Sequence, residues 1–239
     1  MPTISPEATA TGLSPVTGGL SASLANVAER EWAFPGADDV FRGIYMRSCN
    51  NDREILAVCS AIAGEGKTTV AVGLGIAMAQ DFPDRRVLVV ETDLRQPVLA
   101  KDFDVAPSPG LAECLRQHLP AEMAYRPTHL DNLQLVPGGA PTLHSARLLR
   151  SSRMATALDE MCESHDMVIL DVPAVLAGSD AMLLTDVADG VVFVVRTGVT
   201  PMPLINKALD QIEEKKLRGV VLNGSDSAVP NWLRRLCGF

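Results

Sequence analysis

The stretch "CSAIAGEGKTTVAV" occupies Cys59–Val72. An apolar, β-branched run, "ILAVCSA", leads into it, and an apolar helical pattern, "KTTVAVGLGIAMAQ", leaves it. Between strand and helix lie Ala63, Gly64, Glu65, Gly66, Lys67, Thr68 and Thr69. Gly64 and Gly66 allow backbone N–H groups to turn inward and approach a phosphate closely. The start of the following helix adds partial positive charge. Lys67 can reach β- and γ-phosphate oxygens, and the Thr68 hydroxyl can ligate Mg²⁺. A plain strand-to-helix turn needs none of this. The pattern therefore predicts a nucleotide phosphate loop, with Ala61 where its first glycine usually stands.

Outward from this loop, short apolar runs alternate with helical stretches. The runs are "ILAVCSA", "RVLVVET", "LQLVPGG", "MVILDVP", "GVVFVVRT" and "GVVLNG". They are near-continuous and β-branched, as strands buried on both faces are. The intervening helices are "KTTVAVGLGIAMAQ", "GLAECLRQHL", "SARLLRSSRMATALDEMCES", "SDAMLLTDVA" and "PLINKALDQIEEKKL". This alternation predicts an α/β fold with a doubly wound, mostly parallel sheet. Ahead of it, "ADDVFRGIYMRSC" reads as an amphipathic helix placing Val40, Phe41, Ile44 and Cys49 on one face. Residues 1–36 read as a flexible leader rich in Ser, Thr, Ala, Pro and Gly, with possible helical spacing only in "LSASLANVAEREW". Residues 37–239 read as one domain, whose last residues suit a short amphipathic turn.

Two further strand ends carry acids. "MVILDVPAV" ends in Asp171, placed to hold Mg²⁺ as a Walker B acid does. "RVLVVETDLRQP" ends in Glu91 and Asp93, whose i, i+2 spacing puts both carboxylates on one side of an extended chain. Such a pair can ligate metal or accept a hydroxyl proton.

Composition bounds the partners. The chain has 239 residues, 47% of them hydrophobic, and a formal net charge of −8. That length suits one α/β domain, and that charge gives no bulk attraction for nucleic acid. The five cysteines (Cys49, Cys59, Cys114, Cys162, Cys237) stand singly, which predicts neither disulfide framework nor zinc site and suits a reducing cytoplasm. The four histidines are dispersed as well. No apolar run has the length of a membrane span, so attachment to a membrane is expected only through a partner.

Taken together, these motifs resemble the bacterial tyrosine kinases of polysaccharide export, which belong to the deviant phosphate-loop ATPases beside the cell-division and plasmid-partition ATPases. The resemblance rests on "SAIAGEGKTT", "ETDLRQP" and "DVPAV", supported by "PTLHSARLLRS", "DAMLLTDVADGVVFVVRTGVT" and "GVVLNG". It implies MgATP binding and phosphoryl transfer to tyrosine in exopolysaccharide assembly. It also implies a homo-oligomer and a membrane chain-length regulator (a polysaccharide co-polymerase) whose cytoplasmic tail activates the kinase. Carried onto this chain, Lys67, Glu91 and Asp93 become the catalytic candidates, with Glu91 as base. Thr68, Asp93 and Asp171 become the Mg²⁺ ligands. Arg95 would neutralise phosphate or hold the acids, and Asn223 would lie near the nucleotide base.

The departures are also specific. Ile62 stands where the partition ATPases have a signature lysine, which points away from them. Ala63 and Ala174 replace prolines, and Glu91 replaces an aspartate. The first helix reads Asp39, Arg42 and Tyr45 where the family has a glutamate and two arginines, with Arg47 nearby. The tyrosine cluster usual at the family's C-terminus is missing from "SDSAVPNWLRRLCGF". The alternative expectation is thus a nucleotide-switched interaction protein with little kinase activity.

Overall fold

The computed structural model describes residues 37–48 and 53–224. The predicted leader, Cys49, Cys237 and the amphipathic C-terminal turn lie outside the described residues. Seven strands form one sheet: β1 (Glu54–Ser60), β2 (Val87–Glu91), β3 (Arg126–Pro127), β4 (Leu133–Val136), β5 (Met167–Asp171), β6 (Gly190–Arg196) and β7 (Leu217–Asn223). Their order is β3-β4-β2-β5-β1-β6-β7. All neighbours pair in parallel except β3 with β4. The expected doubly wound parallel sheet is therefore present.

Register places the site. β5 lies between β1 and β2, and Asp171 stands opposite Val58 on one side and Glu91 on the other. The Thr92 N–H donates to the Asp171 carbonyl at 3.1 Å, extending the alignment past the strand ends. The loops leaving β1, β2 and β5 thus emerge together at the carboxyl edge, where parallel sheets hold ligands.

Helices cover both faces. They are α1 (Ala37–Ser48), α2 (Lys67–Asp81), α3 (Leu99–Asp102), α4 (Leu111–Gln117), α5 (Ser145–Leu149), α6 (Ser152–Ser164), α7 (Asp180–Val187) and α8 (Met202–Leu209). One core layer packs α2 residues such as Leu74, Ile76 and Met78 against Val87, Val89, Leu135, Ile169 and Val192. The other packs Leu111, Leu115, Met161, Leu184 and Ala208 against Leu88, Val90, Leu170 and Phe193. The strands alternate between these two layers, which is why they show no polar face.

Three local expectations change. The helix predicted across "SARLLRSSRMATALDEMCES" is two helices. Ser151 is extended (φ −70°, ψ 150°), and its hydroxyl donates to the Leu148 carbonyl at 2.6 Å, competing with helix continuation. The helix predicted across "PLINKALDQIEEKKL" ends at Leu209; a 3₁₀ turn, Glu214–Lys216, follows and feeds β7. The short antiparallel strand β3 has no apolar pattern to betray it, and its Pro127 is tolerated because β3 is an edge.

The described part of α1 is docked by its own chemistry. Arg42 Nε and Nη2 donate to Asp81 at the end of α2, at 2.6 and 2.8 Å. The Tyr45 hydroxyl also donates to Asp81. Tyr45 is buried, and that burial, with Asp81 beside it, pushes its hydroxyl pKa up to about 12. The hydrogen bonds from Arg42 and Tyr45 hold the Asp81 carboxyl below its usual range. Gly73 of α2 makes room for the Phe41 ring, which occupies the space a Cβ there would need. Gly73→Ala should therefore loosen α1 while the sheet persists. Faster hydrogen exchange confined to Ala37–Ser48 is the expected readout; unchanged protection of that helix would contradict the packing argument.

Candidate functional site

The phosphate loop leaves β1 and closes on the N-terminus of α2. Gly64 (φ 82°) and Gly66 (φ 94°) are both left-handed, a conformation that a Cβ disfavours. Gly66 precedes α2 with no side-chain cap, and no acid lies in the first turn. The free N–H groups of that turn therefore keep their positive potential for an anion. Ala63 and Gly64 are exposed, while Lys67, Thr68 and Thr69 are half-buried at the helix start.

Two clamps hold the loop. The Glu65 side chain turns inward, only 1% exposed. Its carboxylate accepts hydrogen bonds from the N–H of Ile62 (2.7 Å), the N–H of Arg196 (3.2 Å) and the Thr200 hydroxyl (2.6 Å). Asn223, at the end of β7, donates from Nδ2 to the Glu65 carbonyl at 2.8 Å and packs on Gly66. The Glu65 carboxylate, taken up by these protein donors, is part of the frame.

The metal side is assembled by contact. The Thr68 hydroxyl donates to Asp171 Oδ2 at 2.7 Å. Asp171 is 1% exposed, and its Oδ1 is buried without a hydrogen-bond partner. Burial pushes its carboxyl up to about 6, opposed by Lys67 and Thr68 and reinforced by the charges of Glu91 and Asp93. A buried carboxylate oxygen with no donor, beside a loop hydroxyl, fits a divalent cation arriving with a nucleotide. Among the described residues no three His, Cys, Asp or Glu side chains form a self-contained metal site, so phosphate oxygens and water would complete the shell.

Asp93 is half-buried and accepts the Gln96 N–H at 3.2 Å. It faces a cleft of about 250 Å³ together with Lys67, Arg95 and Ala63. Glu91 behaves differently. Its side chain is fully buried, and Oε1 accepts the N–H groups of Val98 and Leu99 (2.9 Å for Leu99), while Oε2 accepts that of Gly138 at 2.8 Å. Burial raises its carboxyl pKa against the opposing pull of these three backbone donors. Arg95 Nε donates to the Ser145 hydroxyl at 2.9 Å and lies 3.4 Å from Asp180 Oδ2.

No family model matches the chain. It is 33% identical over 183 residues to the tyrosine-protein kinase YwqD of Bacillus subtilis, covering 76% of each protein. The chain belongs to the bacterial tyrosine-protein kinase family. The succinoglycan biosynthesis transport protein ExoP of Rhizobium meliloti is 29% identical over 181 residues, of which this chain spans only 23% of the length. Among solved structures, the chimerical protein CapA2B2 superposes with TM-score 0.73 and 25% identity, over 83% of this chain and 88% of that one. The septum site-determining protein MinD of Pyrococcus horikoshii, complexed with Mg-ADP, shares the fold at TM-score 0.60 and 21% identity, over 77% of each chain.

Within this tyrosine-kinase frame, Glu91 stands apart from the other site residues in its surroundings. The sequence assigns it the role of base, but its carboxylate is walled into the protein by backbone donors and has no free edge on the cleft. Its Oε1 caps the start of α3. Ala63, Lys67, Asp93 and Arg95 line one cleft, and Thr68 joins Asp171 by a hydrogen bond. Ser145 and Asp180 were not singled out from sequence, because a buried Ser–Asp contact between α5 and α7 leaves no local signal.

The raised Asp171 carboxyl makes a stability prediction. Its folded pKa lies above the ordinary 3.8, so keeping it neutral favours folding, fully so below about pH 4, and this is lost as pH rises through about 6. Asp171→Asn without metal or nucleotide should therefore gain on the order of 2–3 kcal/mol at pH 8 and almost nothing at pH 4. Thermal melts in EDTA at both pH values test this; a variant less stable at pH 8 would reject the buried-charge account.

Proposed function

We propose that this chain binds MgATP and transfers the γ-phosphoryl group to a tyrosine hydroxyl, in the control of exopolysaccharide or capsule assembly. The Thr68–Asp171 hydrogen bond carries this reading, because it joins the phosphate loop to the Walker B strand beside Lys67. Loop N–H groups and Lys67 hold the phosphates, and Arg95 and Asn223 flank the nucleotide. Thr68 and Asp171 hold Mg²⁺, with Asp93 near it; the ion neutralises phosphate charge when bound. Phosphoryl transfer depends on positioning and electrostatics more than on covalent chemistry, so this set suffices.

The relatives named above support the setting. One is a tyrosine-protein kinase and another a succinoglycan transport protein. Among the described residues no helix is long and apolar enough to cross a membrane. We assign the chain to the cytoplasm, acting at the inner membrane through a polysaccharide co-polymerase whose cytoplasmic tail activates it, and assembling with copies of itself. Lys67→Met is the direct test. Calorimetric titration with MgATP should show binding weakened at least tenfold in a folded protein; unchanged affinity and turnover would remove the phosphate-loop reading.

The acceptor comes from outside this chain. Its two tyrosines are both engaged. Tyr45 is 4% exposed with its hydroxyl on Asp81, and the half-buried Tyr125 hydroxyl meets Ser164 Oγ at 3.0 Å. This observation favours the second reading, a nucleotide-switched partner that phosphorylates little by itself. Incubation of the purified 239-residue chain with MgATP should leave its intact mass unchanged. Rapid gain of several phosphates would show that these hydroxyls are reachable.

A further inference from the structure

Glu65 lies inside the phosphate loop, between two left-handed glycines, yet it is only 1% exposed. Among the described residues no lysine or arginine forms an ion pair with it. Its charge therefore rests on three neutral donors. A buried carboxylate held only by hydrogen bonds loses more when one donor is removed than a solvated, paired acid does. Two of the donors are backbone N–H groups, those of Ile62 and Arg196. The third is the Thr200 hydroxyl, and it alone depends on a side chain.

Thr200 reaches Glu65 because the chain turns back after β6. Gly198 is left-handed (φ 73°), and the N–H groups of Val199 and Thr200 both donate to the Arg196 carbonyl, at 3.2 and 3.3 Å. The Thr200 hydroxyl and the Arg196 N–H then converge on Glu65 Oε1, at 2.6 and 3.2 Å. Oε2 accepts the Ile62 N–H at 2.7 Å. One carboxylate thus spans from the first part of the loop to the end of β6. The same strand end grips the loop twice more. Arg196 Nη1 donates to the Gly64 carbonyl at 3.3 Å. The Thr197 N–H donates to the carbonyl of Asn223, whose side chain holds the Glu65 carbonyl.

A phosphate loop binds through backbone N–H groups, so its affinity depends on how far those groups are already aimed. Here the backbone of Ile62, Gly64 and Glu65 is fixed by groups from β6, β7 and the turn between β6 and α8. Thr200 is not among the residues lining the cleft that holds Lys67, Asp93 and Arg95. Its influence on a bound phosphate therefore runs through Glu65.

We propose that Thr200 is a positioning residue of the nucleotide site. Its hydroxyl, acting through the Glu65 carboxylate, pre-organises the phosphate loop and so sets the affinity for the polyphosphate part of the nucleotide, independently of the base. This rests on the MgATP reading above. The donor pattern also makes Glu65→Gln a poor isostere. All three partners donate, so the glutamine amide must point its NH₂ at a backbone N–H, of Ile62 in one orientation and of Arg196 in the other.

Calorimetric titrations with MgATP and with magnesium tripolyphosphate, which has no base, separate loop placement from base contact. Melting curves check that each variant folds. Wild type should bind both probes. Thr200→Val keeps the branched shape without the hydroxyl and should weaken both by the same factor, about five- to tenfold. Thr200→Ser keeps the hydroxyl and should stay within about twofold of wild type. Loss of packing alone would lower the melting temperature and leave both affinities unchanged. Should Thr200→Val fail to fold, Thr200→Ala, which also lacks the hydroxyl, takes its place. Glu65→Gln, where it folds, should weaken both probes at least as much as Thr200→Val. Unchanged affinities in Thr200→Val, weakening of MgATP alone, equal weakening in Thr200→Ser, or wild-type binding by Glu65→Gln overturns the proposal while leaving the MgATP reading intact. So does a wild type that binds MgATP but not tripolyphosphate. A wild type that binds neither removes the phosphate-loop reading and this proposal with it.

Discussion

The hydrogen bond between the Thr68 hydroxyl and Asp171 Oδ2 joins the two halves of the nucleotide site, and the register of the parallel sheet makes it possible. β5 is sandwiched between β1 and β2, so its terminal Asp171 lies behind the loop that leaves β1 and level with Glu91 on β2. A one-residue slip of β5 would turn Asp171 to the opposite face of the sheet. Such a slip is resisted on both faces, because the strands' side chains are locked into two separate core layers.

The site holds unfavourable electrostatics that the rest of the fold sustains. Asp171 is a buried carboxylate with one orphan oxygen, and Asp180 has another. Lys67 offsets the first and Arg95 the second, but neither cation satisfies the free oxygen. The Asp171 orphan lies beside the Thr68 hydroxyl, where a divalent cation would supply what is missing. Unsatisfied polar groups at a functional site are strain held for binding.

Glu65 and Glu91 show how acids in the nucleotide motifs become framework. Each has a carboxylate saturated by protein donors, mostly backbone N–H groups. Glu65 stitches the phosphate loop to the end of β6 and the turn after it. Glu91 stitches the end of β2 to α3 and to the loop after β4. The backbone they hold carries the phosphate donors and Asp93, so their influence on chemistry is through placement. Tyr45 and Asp81 play the same part for α1, tying that helix to the far end of α2.

The linear chain determined a great deal. Glycines at two left-handed positions, Lys67 and Thr68 after a strand, and acids at the ends of two other buried runs specify a phosphate-loop fold and most of its site. These signals are local, because each depends on residue type within one turn or strand. Only the tertiary structure decided which way the carboxylates face. Glu91 and Asp93 share one side of an extended chain by spacing, yet the chain leaves strand geometry after Glu91, and their surroundings diverge. Ser145, Arg95 and Asp180 come from segments 35 and 50 residues apart, and only packing of α5 against α7 unites them. Burial and hydrogen-bond saturation are properties of neighbours distant in sequence, so no reading of residue types alone distinguishes an acid that reacts from one that holds the frame.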